Sequence, residues 1–305
     1  MGKLSLFEVS YSKERPVYYP GEPVEGQVTV ELNDTMKMRG MHLRFKGMAR
    51  VHWTEERSSG SRTIRTDHFS AEEEYFYISF LLAGRWKDEP GHDINLPAGR
   101  HTYPFSYKLP SRLPSSFAGA YGFVGYDAKC TIDKPWKFNH EAETSFIVRN
   151  RLDLNREPRA KEVLYHATTK TKPKTHDYAK LKHGEIKQGD TDYWNAERLV
   201  VPPLTPSFLR GCKIIDVRYF LMLDVTPAGP SSDLVLYLNV IIGNIPRQGV
   251  VAQPSAVDQP AAHQPSGKGA SKGSKKRSRP RRGSAYITEE SQPLAEELSL
   301  KNTEL

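Results

Sequence analysis

The histidines are the residues of this chain best suited to catalysis or metal binding, and all ten are spread singly along the sequence. None follows the HxH or HExxH spacing that brings two imidazoles to one metal ion. Gly119, Gly122 and Gly125 are spaced like a phosphate-binding loop, but neither a Lys-Ser/Thr pair nor a helical pattern follows them. We therefore expect no enzymatic activity, no metal and no cofactor, and interpret the glycines as close backbone packing at a sheet corner.

Cysteine chemistry is equally sparse. The chain has two cysteines, Cys130 and Cys212, which is too few for a disulfide framework and does not form a CxxC metal knuckle. We expect both to be small buried hydrophobic side chains rather than reactive thiols.

Short alternating patterns of apolar residues dominate the first 246 residues. Apolar side chains recur at every second position, as in Val124–Ile132, Ile215–Val225 and Leu234–Ile242, and Gly, Pro, Asn and Asp separate the runs. A period of two is typical of a half-buried β-strand, and no sustained run follows the 3.6-residue period of a helix. Many short strands without helices predict an all-β fold of two tandem β-sandwiches.

The domain organisation follows from where this alternation stops. It lapses near Arg151–Pro158, which predicts a first sandwich at 1–150 and a second at 151–246. Residues 247–305 are rich in Gln, Ser, Gly, Pro and Lys, so we expect a disordered tail. The tail holds ten Lys and Arg against six Asp and Glu, so half of the formal net charge of +8 is local to it. The charge therefore does not predict a basic globular nucleic-acid binder, and we expect no specific nucleic acid.

The sequence also predicts where the chain resides. No apolar run reaches the about 18 residues that a membrane helix needs, and the first residues lack the long apolar core of a secretory signal. We therefore expect a cytoplasmic protein.

Several longer motifs resemble those of one protein family. Residues 18–28, YYPGEPVEGQV, resemble the YxPGExVxGxV opening of arrestin-domain proteins, and 39–53, RGMHLRFKGMARVHW, are similar to their next strand pair. Further matches are 96–105 (LPAGRHTYPF), 113–117 (LPSSF), 134–139 (KPWKFN), 201–207 (VPPLTPS) and 242–246 (IGNIP). They follow the family order over residues 1–246, so the chain resembles an α-arrestin, an arrestin-domain-containing trafficking adaptor.

The resemblance implies tandem arrestin-like, immunoglobulin-like sandwiches and a non-enzymatic adaptor in protein trafficking. Such an adaptor binds acidic or phosphorylated cytoplasmic segments of membrane receptors or transporters, couples them to endocytic or ubiquitin-ligase proteins, and is recruited to the plasma membrane or endosomes. The candidate cargo contacts are basic residues beside the early strands: Lys13, Arg15, Arg44, Lys46 and Arg50. Arg15 and Arg44 are favoured because a guanidinium can bind phosphate in a bidentate way.

The tryptophans that fall in family-like positions include Trp53, Trp136 and Trp194. We expect these large aromatic side chains to belong to the core rather than to a binding site.

Two features depart from the family pattern. The segment Arg156–Pro246 shows about five strand patterns, fewer than a seven-strand sandwich of about 100 residues, so we expect a shortened second domain. The PPxY motif, through which family members often recruit WW-domain ubiquitin ligases, does not occur in the sequence.

The predicted tail carries three separate signals. Eight basic residues without an intervening acid could address the nucleus, contact anionic lipid or keep the tail extended: Lys268, Lys272, Lys275, Lys276, Arg277, Arg279, Arg281 and Arg282. Ser284 follows Arg281 and Arg282 as in a basophilic-kinase site. The final Thr303, Glu304 and Leu305 have the Thr-x-Leu form of a ligand for a PDZ protein.

Two alternative functions fit parts of the sequence. A nuclear or nucleic-acid-associated protein would act through the basic tail, with binding that weakens steeply with salt. An arrestin-fold structural scaffold of a trafficking complex would form a stable stoichiometric assembly, but it would not require the motifs at 19–22 and 202–207.

Overall fold

The computed structural model describes residues 3–58, 64–161, 165–168, 176–187, 190–194, 197–227, 233–248 and 282–293. These segments form strands, turns and two short 3-10 helices, and none is a helix with the length and hydrophobicity needed to cross a membrane. They divide into two compact units. The first is built mainly from Met1–Leu152 and Leu204–Arg218, and the second mainly from Asp153–Pro203 and Tyr219–Glu289.

The first unit is a β-sandwich. Its strands are β1 (Leu4–Tyr11), β2 (Val17–Tyr18), β3 (Pro23–Leu32), β4 (Met36–Met38), β5 (Gly40–Ser58), β6 (Ile64–Gly84), β7 (Ile94–Leu96), β8 (Gly99–Lys108), β9 (Phe117–Ala118), β10 (Gly122–Asp133) and β11 (His140–Val148). One sheet has the order β1-β3-β8 and the other β2-β11-β10-β5-β6, with β9 beside β10. The strands β4 and β7 form a small separate pair.

The core of this unit follows the predicted alternation. Every second residue of β10 is buried: Val124, Tyr126, Ala128, Cys130 and Ile132. Across the core, the ring of Phe45 on β5 lies 5.5 Å from that of Phe105 and 5.1 Å from that of Tyr107, both on β8. These contacts join the two sheets and confirm the predicted all-β sandwich.

One later segment also belongs to the first unit, although the sequence analysis placed it in the second sandwich. Leu209, in the 3-10 helix Ser207–Leu209, is buried. The side-chain amide of Asn150 donates to the carbonyl of Arg210 (3.3 Å), and the backbone N–H of Lys213 donates to the carboxylate of Glu73 (2.8 Å). Burial and these long-range hydrogen bonds hold Leu204–Arg218 to the first unit.

The second unit contains one sheet in its described residues. A 3-10 helix (Pro158–Lys161) precedes the strands β12 (Tyr165–Thr168), β13 (His176–Glu185), β14 (Ile215–Thr226), β15 (Leu234–Val240) and β16 (Arg282–Pro293). The first part of β14, up to Arg218, belongs to the first unit, and the second unit begins again at Tyr219. Their order in the sheet is β12-β15-β14-β16-β13. Met222 of β14 packs with Val235 and Tyr237 of β15 in a small buried cluster. The described apolar core of this unit is therefore small.

Strand β16 comes from the segment that the sequence analysis assigned to a disordered tail. It pairs antiparallel with β13, with Ile287 opposite Ala179. The compositional argument averaged over all of 247–305, whereas 284–288 (SAYIT) contains the aromatic and β-branched residues that suit a strand. Four strands lie between Arg156 and Pro246 in the residues that the structure describes, and β16 supplies the fifth of the sheet. Arg247 and Gln248 are also described, and the N–H of Gln248 donates to the side-chain oxygen of Asn155 (2.7 Å). The remaining residues of the predicted tail lie outside the described ones.

Candidate functional site

Three of the five predicted cargo contacts lie on one face of β5. Arg44, Lys46 and Arg50 alternate with buried residues such as Phe45 and Ala49, so they point away from the core of the sandwich. The three side chains therefore share the outer face of the six-stranded sheet.

Acidic side chains on this face already partner two of the three cations. Arg44 donates to the carboxylate of Asp127, which lies on the neighbouring strand β10. Arg50 pairs with Glu72 at 2.5 Å, and because both side chains are about half exposed, this pair is worth about 1 kcal/mol at most. Lys46 forms no ion pair with any residue that the structure describes. An acidic ligand on this face has to compete with Asp127 and Glu72.

The other two predicted contacts lie between β1 and β2. Lys13 Nζ donates to the carbonyl of Val17 (3.0 Å) and to the carboxylate of Glu22 (3.3 Å), and it lies 4.2 Å from the centre of the Tyr18 ring. Arg15 is exposed, and within the described part of the chain its side chain pairs with no acid. The structure therefore places Lys13 and Arg15 apart from the face of β5.

Two residues of the motif YYPGE, Gly21 and Glu22, form the turn that holds Lys13 in place. Its carboxylate accepts hydrogen bonds from the N–H of Tyr19 (3.0 Å) and from Lys13. The Tyr19 hydrogen bond and the Lys13 ammonium lower the pKa of Glu22, so this carboxylate is charged at neutral pH. Gly21 adopts a φ of +84°, a left-handed conformation that glycine accepts without steric cost. The motif closes a turn that fixes Lys13 near the end of β1.

The strand β1 has an open edge. It pairs with β3 on one side, with Val9 opposite Val28, and no described strand pairs with its other side. The opposite edge strand of this sheet, β8, contains Pro104, which has no backbone N–H to offer an incoming strand. The β1 edge is therefore the better place in this sheet for an additional extended segment.

The predicted sites of the tail fall largely outside the described residues: Lys268, Lys272, Lys275, Lys276, Arg277, Arg279, Arg281, Thr303, Glu304 and Leu305. Arg282 is the first residue of β16, and Ser284 lies opposite Lys182 in the pairing of β16 with β13. Ser284 of the predicted kinase site thus lies in a strand that pairs with β13, while its phosphorylation stays a prediction.

Metal and thiol chemistry find no support in the described segments. No group of three or more His, Cys, Asp or Glu among those residues is arranged to hold a metal ion. Burial raises the pKa of the Cys130 thiol to about 12, and burial also raises the pKa of Cys212. Both thiols are protonated at neutral pH, which makes them poor nucleophiles.

The prediction that Trp136 is a core residue is wrong. Trp136 is 98% exposed and Phe138 is 96% exposed. Both lie on the loop of residues 134–139 between β10 and β11, which we call the Trp136 loop. Trp53 and Trp194 are partly buried. The signal that could have identified the loop is KPWKFN itself, where a proline and two lysines interrupt the apolar alternation of a strand.

A second cluster that the sequence analysis missed lies in the second unit. His183 of β13 is bonded through Nδ1 to Asp192 (2.8 Å) and through Nε2 to Glu197 (3.3 Å). Its ring stacks on Trp194 with the ring centres 4.0 Å apart, and Trp194 Nε1 donates to the same Asp192 oxygen (3.1 Å). Two acids at the two ring nitrogens favour the doubly protonated imidazolium.

We expect His183 to titrate above the ordinary histidine value of 6.5, because the hydrogen bond to Asp192, aided by Glu197, raises its pKa against the opposing effect of desolvation. A pKa raised by folding adds stability that is fully present below about pH 6.5 and is lost as the pH rises through the folded pKa. An NMR titration of the histidine rings measures this, with His183→Gln to assign the signal. Asp192→Asn should return the midpoint toward 6.5. A midpoint at or below 6.5 in the unmodified chain would contradict the prediction.

Comparison with known proteins agrees with this two-part architecture. Residues 7–155 match the family model of the arrestin (or S-antigen) N-terminal domain, and residues 142–247 match that of the arrestin (or S-antigen) C-terminal domain. The chain is 28% identical to Arrestin domain-containing protein 17 of Caenorhabditis elegans, over 81% of this chain and 72% of the relative. It is 26% identical to human Arrestin domain-containing protein 4 (84% and 75% covered) and 25% identical to human Arrestin domain-containing protein 1 (84% and 70%). With both domain models matched in order, the chain belongs to the arrestin-domain-containing, or α-arrestin, family.

Proposed function

We propose that this protein is a non-enzymatic trafficking adaptor that binds cytoplasmic segments of membrane receptors or transporters at the plasma membrane or endosomes. Arrestin-family proteins are in general non-enzymatic adaptors that bind membrane cargo and trafficking partners. The structural observation that supports the proposal is the open edge of β1, followed directly by Lys13 and the exposed Arg15.

An open strand edge suits an extended cytoplasmic segment. Backbone hydrogen bonds along β1 supply affinity for any extended chain, and the basic residues at its end favour an acidic or phosphorylated one. The face of β5 is a weaker candidate, because Asp127 and Glu72 already partner Arg44 and Arg50. Arg15 is exposed and pairs with no acid among the described residues, so its guanidinium is available to such a ligand. The proposed coupling to endocytic or ubiquitin-ligase proteins is supported by the family relationship alone, since residues 1–305 contain no PPxY motif.

Arg15→Glu in the full chain should weaken binding of an extended phosphoserine peptide by about tenfold, because it replaces a charge-assisted phosphate contact with repulsion. Arg50→Glu is the matched control, and we expect it to change the affinity less than about twofold because Glu72 already partners Arg50. Fluorescence anisotropy with a labelled peptide gives both affinities.

Proximity labelling in cells tests the function itself. We expect the unmodified chain to label membrane receptors or transporters together with endocytic or ubiquitin-ligase proteins, and Arg15→Glu to reduce the membrane proteins. Labelling that recovers no membrane protein, or equal loss with Arg15→Glu and Arg50→Glu, would contradict the proposal.

A further inference from the structure

The Trp136 loop holds two aromatic side chains in water on a firmly anchored base. Arg39 Nη1 donates to both carboxylate oxygens of Asp133 (3.1 and 3.0 Å), the residue that precedes the loop. The side chain of Asn139 accepts a hydrogen bond from the N–H of Lys134 (3.2 Å) and so closes the loop on itself. Trp136 has a φ of +57°, in the left-handed region that non-glycine residues seldom adopt. The loop therefore displays Trp136 and Phe138 in a fixed, uncommon conformation.

Beside these rings lies an open cleft of about 910 Å³ with an excess of positive charge. Its lining includes Arg39, Lys87, Lys134 and Lys137, and among the described residues that line it Asp133 is the single acid. Asp133 is paired with Arg39, and none of the three lysines forms an ion pair with an acid within the described segments. Burial, and after it the nearby Lys137, lower the pKa of Lys134, whose Nζ lies 2.7 Å from Nε2 of His140.

The exposure of the two aromatic rings favours a membrane surface over a peptide as the binding partner. A bound peptide usually places its own side chains into pockets, but here the aromatic rings project from the protein with 98% and 96% of their surface in water. The boundary between lipid headgroups and acyl chains can surround a projecting ring on every side. Tryptophan is enriched at that boundary, and lysines near an anionic leaflet are attracted to it. The combination of two rings and three lysines matches this environment.

We propose that the Trp136 loop docks the first unit on an anionic membrane surface. Trp136 and Phe138 enter the headgroup–acyl boundary, while Lys87, Lys134 and Lys137 contact the phosphates of the lipid headgroups. This contact needs no cargo protein, so it is independent of the β1 edge. It orients the first unit on the bilayer by a site that is separate from peptide recognition.

Vesicle binding by the full chain tests the proposal. Sedimentation with vesicles of phosphatidylcholine and phosphatidylserine gives a partition coefficient, and the double variant Trp136→Ala/Phe138→Ala should lower it by about tenfold or more. Lys87→Gln/Lys137→Gln should lower it by a similar factor on these vesicles and leave binding to phosphatidylcholine alone unchanged. Both variants alter exposed residues, so their thermal unfolding should match that of the unmodified chain.

Matched controls separate the loop from general effects of aromatic residues and of charge. Tyr193→Ala removes a ring that is 80% exposed in the second unit, and Lys182→Gln/Lys187→Gln removes two exposed lysines there. We expect vesicle binding to survive in these controls and in Arg15→Glu. Unchanged binding by Trp136→Ala/Phe138→Ala, or equal loss in the controls, overturns the proposal. Loss of phosphoserine-peptide binding without loss of vesicle binding in that double variant also overturns it and identifies a peptide site.

Discussion

Gly26→Ala is expected to destabilise the first unit by about 3 kcal/mol or more, because β1, β3 and β8 leave no space for a Cβ at this position. Gly26 lies in β3, opposite Tyr11 of β1 and Phe105 of β8. A Cβ there would lie 2.6 Å from Cζ of the Phe105 ring and closer still to the backbone oxygen of Ser10. The Phe105 ring can rotate, but the oxygen can move only if β1 separates from β3.

Gly21→Ala is the matched control in the same family motif. Gly21 needs its glycine for conformation, since its φ is +84°, but no atom lies within 4 Å of the Cβ that alanine would add. We expect a loss of about 1–2 kcal/mol, the usual cost of a left-handed non-glycine residue. Urea unfolding of the full chain, followed by intrinsic fluorescence, gives both changes. A larger loss for Gly21→Ala than for Gly26→Ala would contradict the steric explanation.

The strands that the sequence predicted best are those with one buried face. In β10 every second residue from Val124 to Ile132 meets the core, so the type of each residue shows whether it is buried, and the period of two is visible without any partner strand. In β14 the predicted apolar face is buried only as far as Tyr219, and beyond it Met222 and Asp224, on the other face of the strand, are the buried residues. Leu204–Arg218 could not be assigned in this way. Its place in the first unit depends on Asn150 and Glu73, which are far away in the sequence.

In the candidate sites, too, the sequence does not reveal which distant residues surround a charged or aromatic side chain. Arg44 looked like an available cation because its partner Asp127 lies 83 residues away, on a strand whose register the sequence does not reveal. Trp136 looked like a core residue because tryptophan is usually buried, and only the loop geometry shows its exposure. β16 was missed because its strand-forming residues are few within a long polar segment. In each case the residue type alone does not determine whether the side chain is paired, exposed or part of a strand, because this depends on residues that are distant in the sequence.

Tyr126→Ala is expected to cost about 3–5 kcal/mol, the range for removing a large buried aromatic side chain. Tyr126 is buried in the centre of β10, and its ring centre lies 5.8 Å from that of Phe146 and 6.0 Å from that of Phe76. Gly47 lies opposite it on β5, and a Cβ there would lie 2.7 Å from the Tyr126 ring, so the ring fills the space that the glycine leaves. Its hydroxyl donates to the carbonyl of Pro114 (2.7 Å).

Tyr126→Phe separates the hydrogen bond from the packing. Burial raises the pKa of the Tyr126 phenol, so the hydroxyl remains a neutral donor, and its removal leaves the Pro114 carbonyl without that donor at a cost of about 1–2 kcal/mol. Tyr77→Ala, an exposed tyrosine of β6, should cost less than about 1 kcal/mol. Urea unfolding of the three variants gives these values. Equal losses for Tyr126→Phe and Tyr126→Ala would mean that the hydrogen bond, rather than the ring, accounts for this position. β10 also leads into the Trp136 loop, so binding to anionic vesicles requires a folded first unit. Tyr126→Phe should therefore still bind these vesicles. Tyr126→Ala should lose the binding at the lower temperature at which its own first unit unfolds.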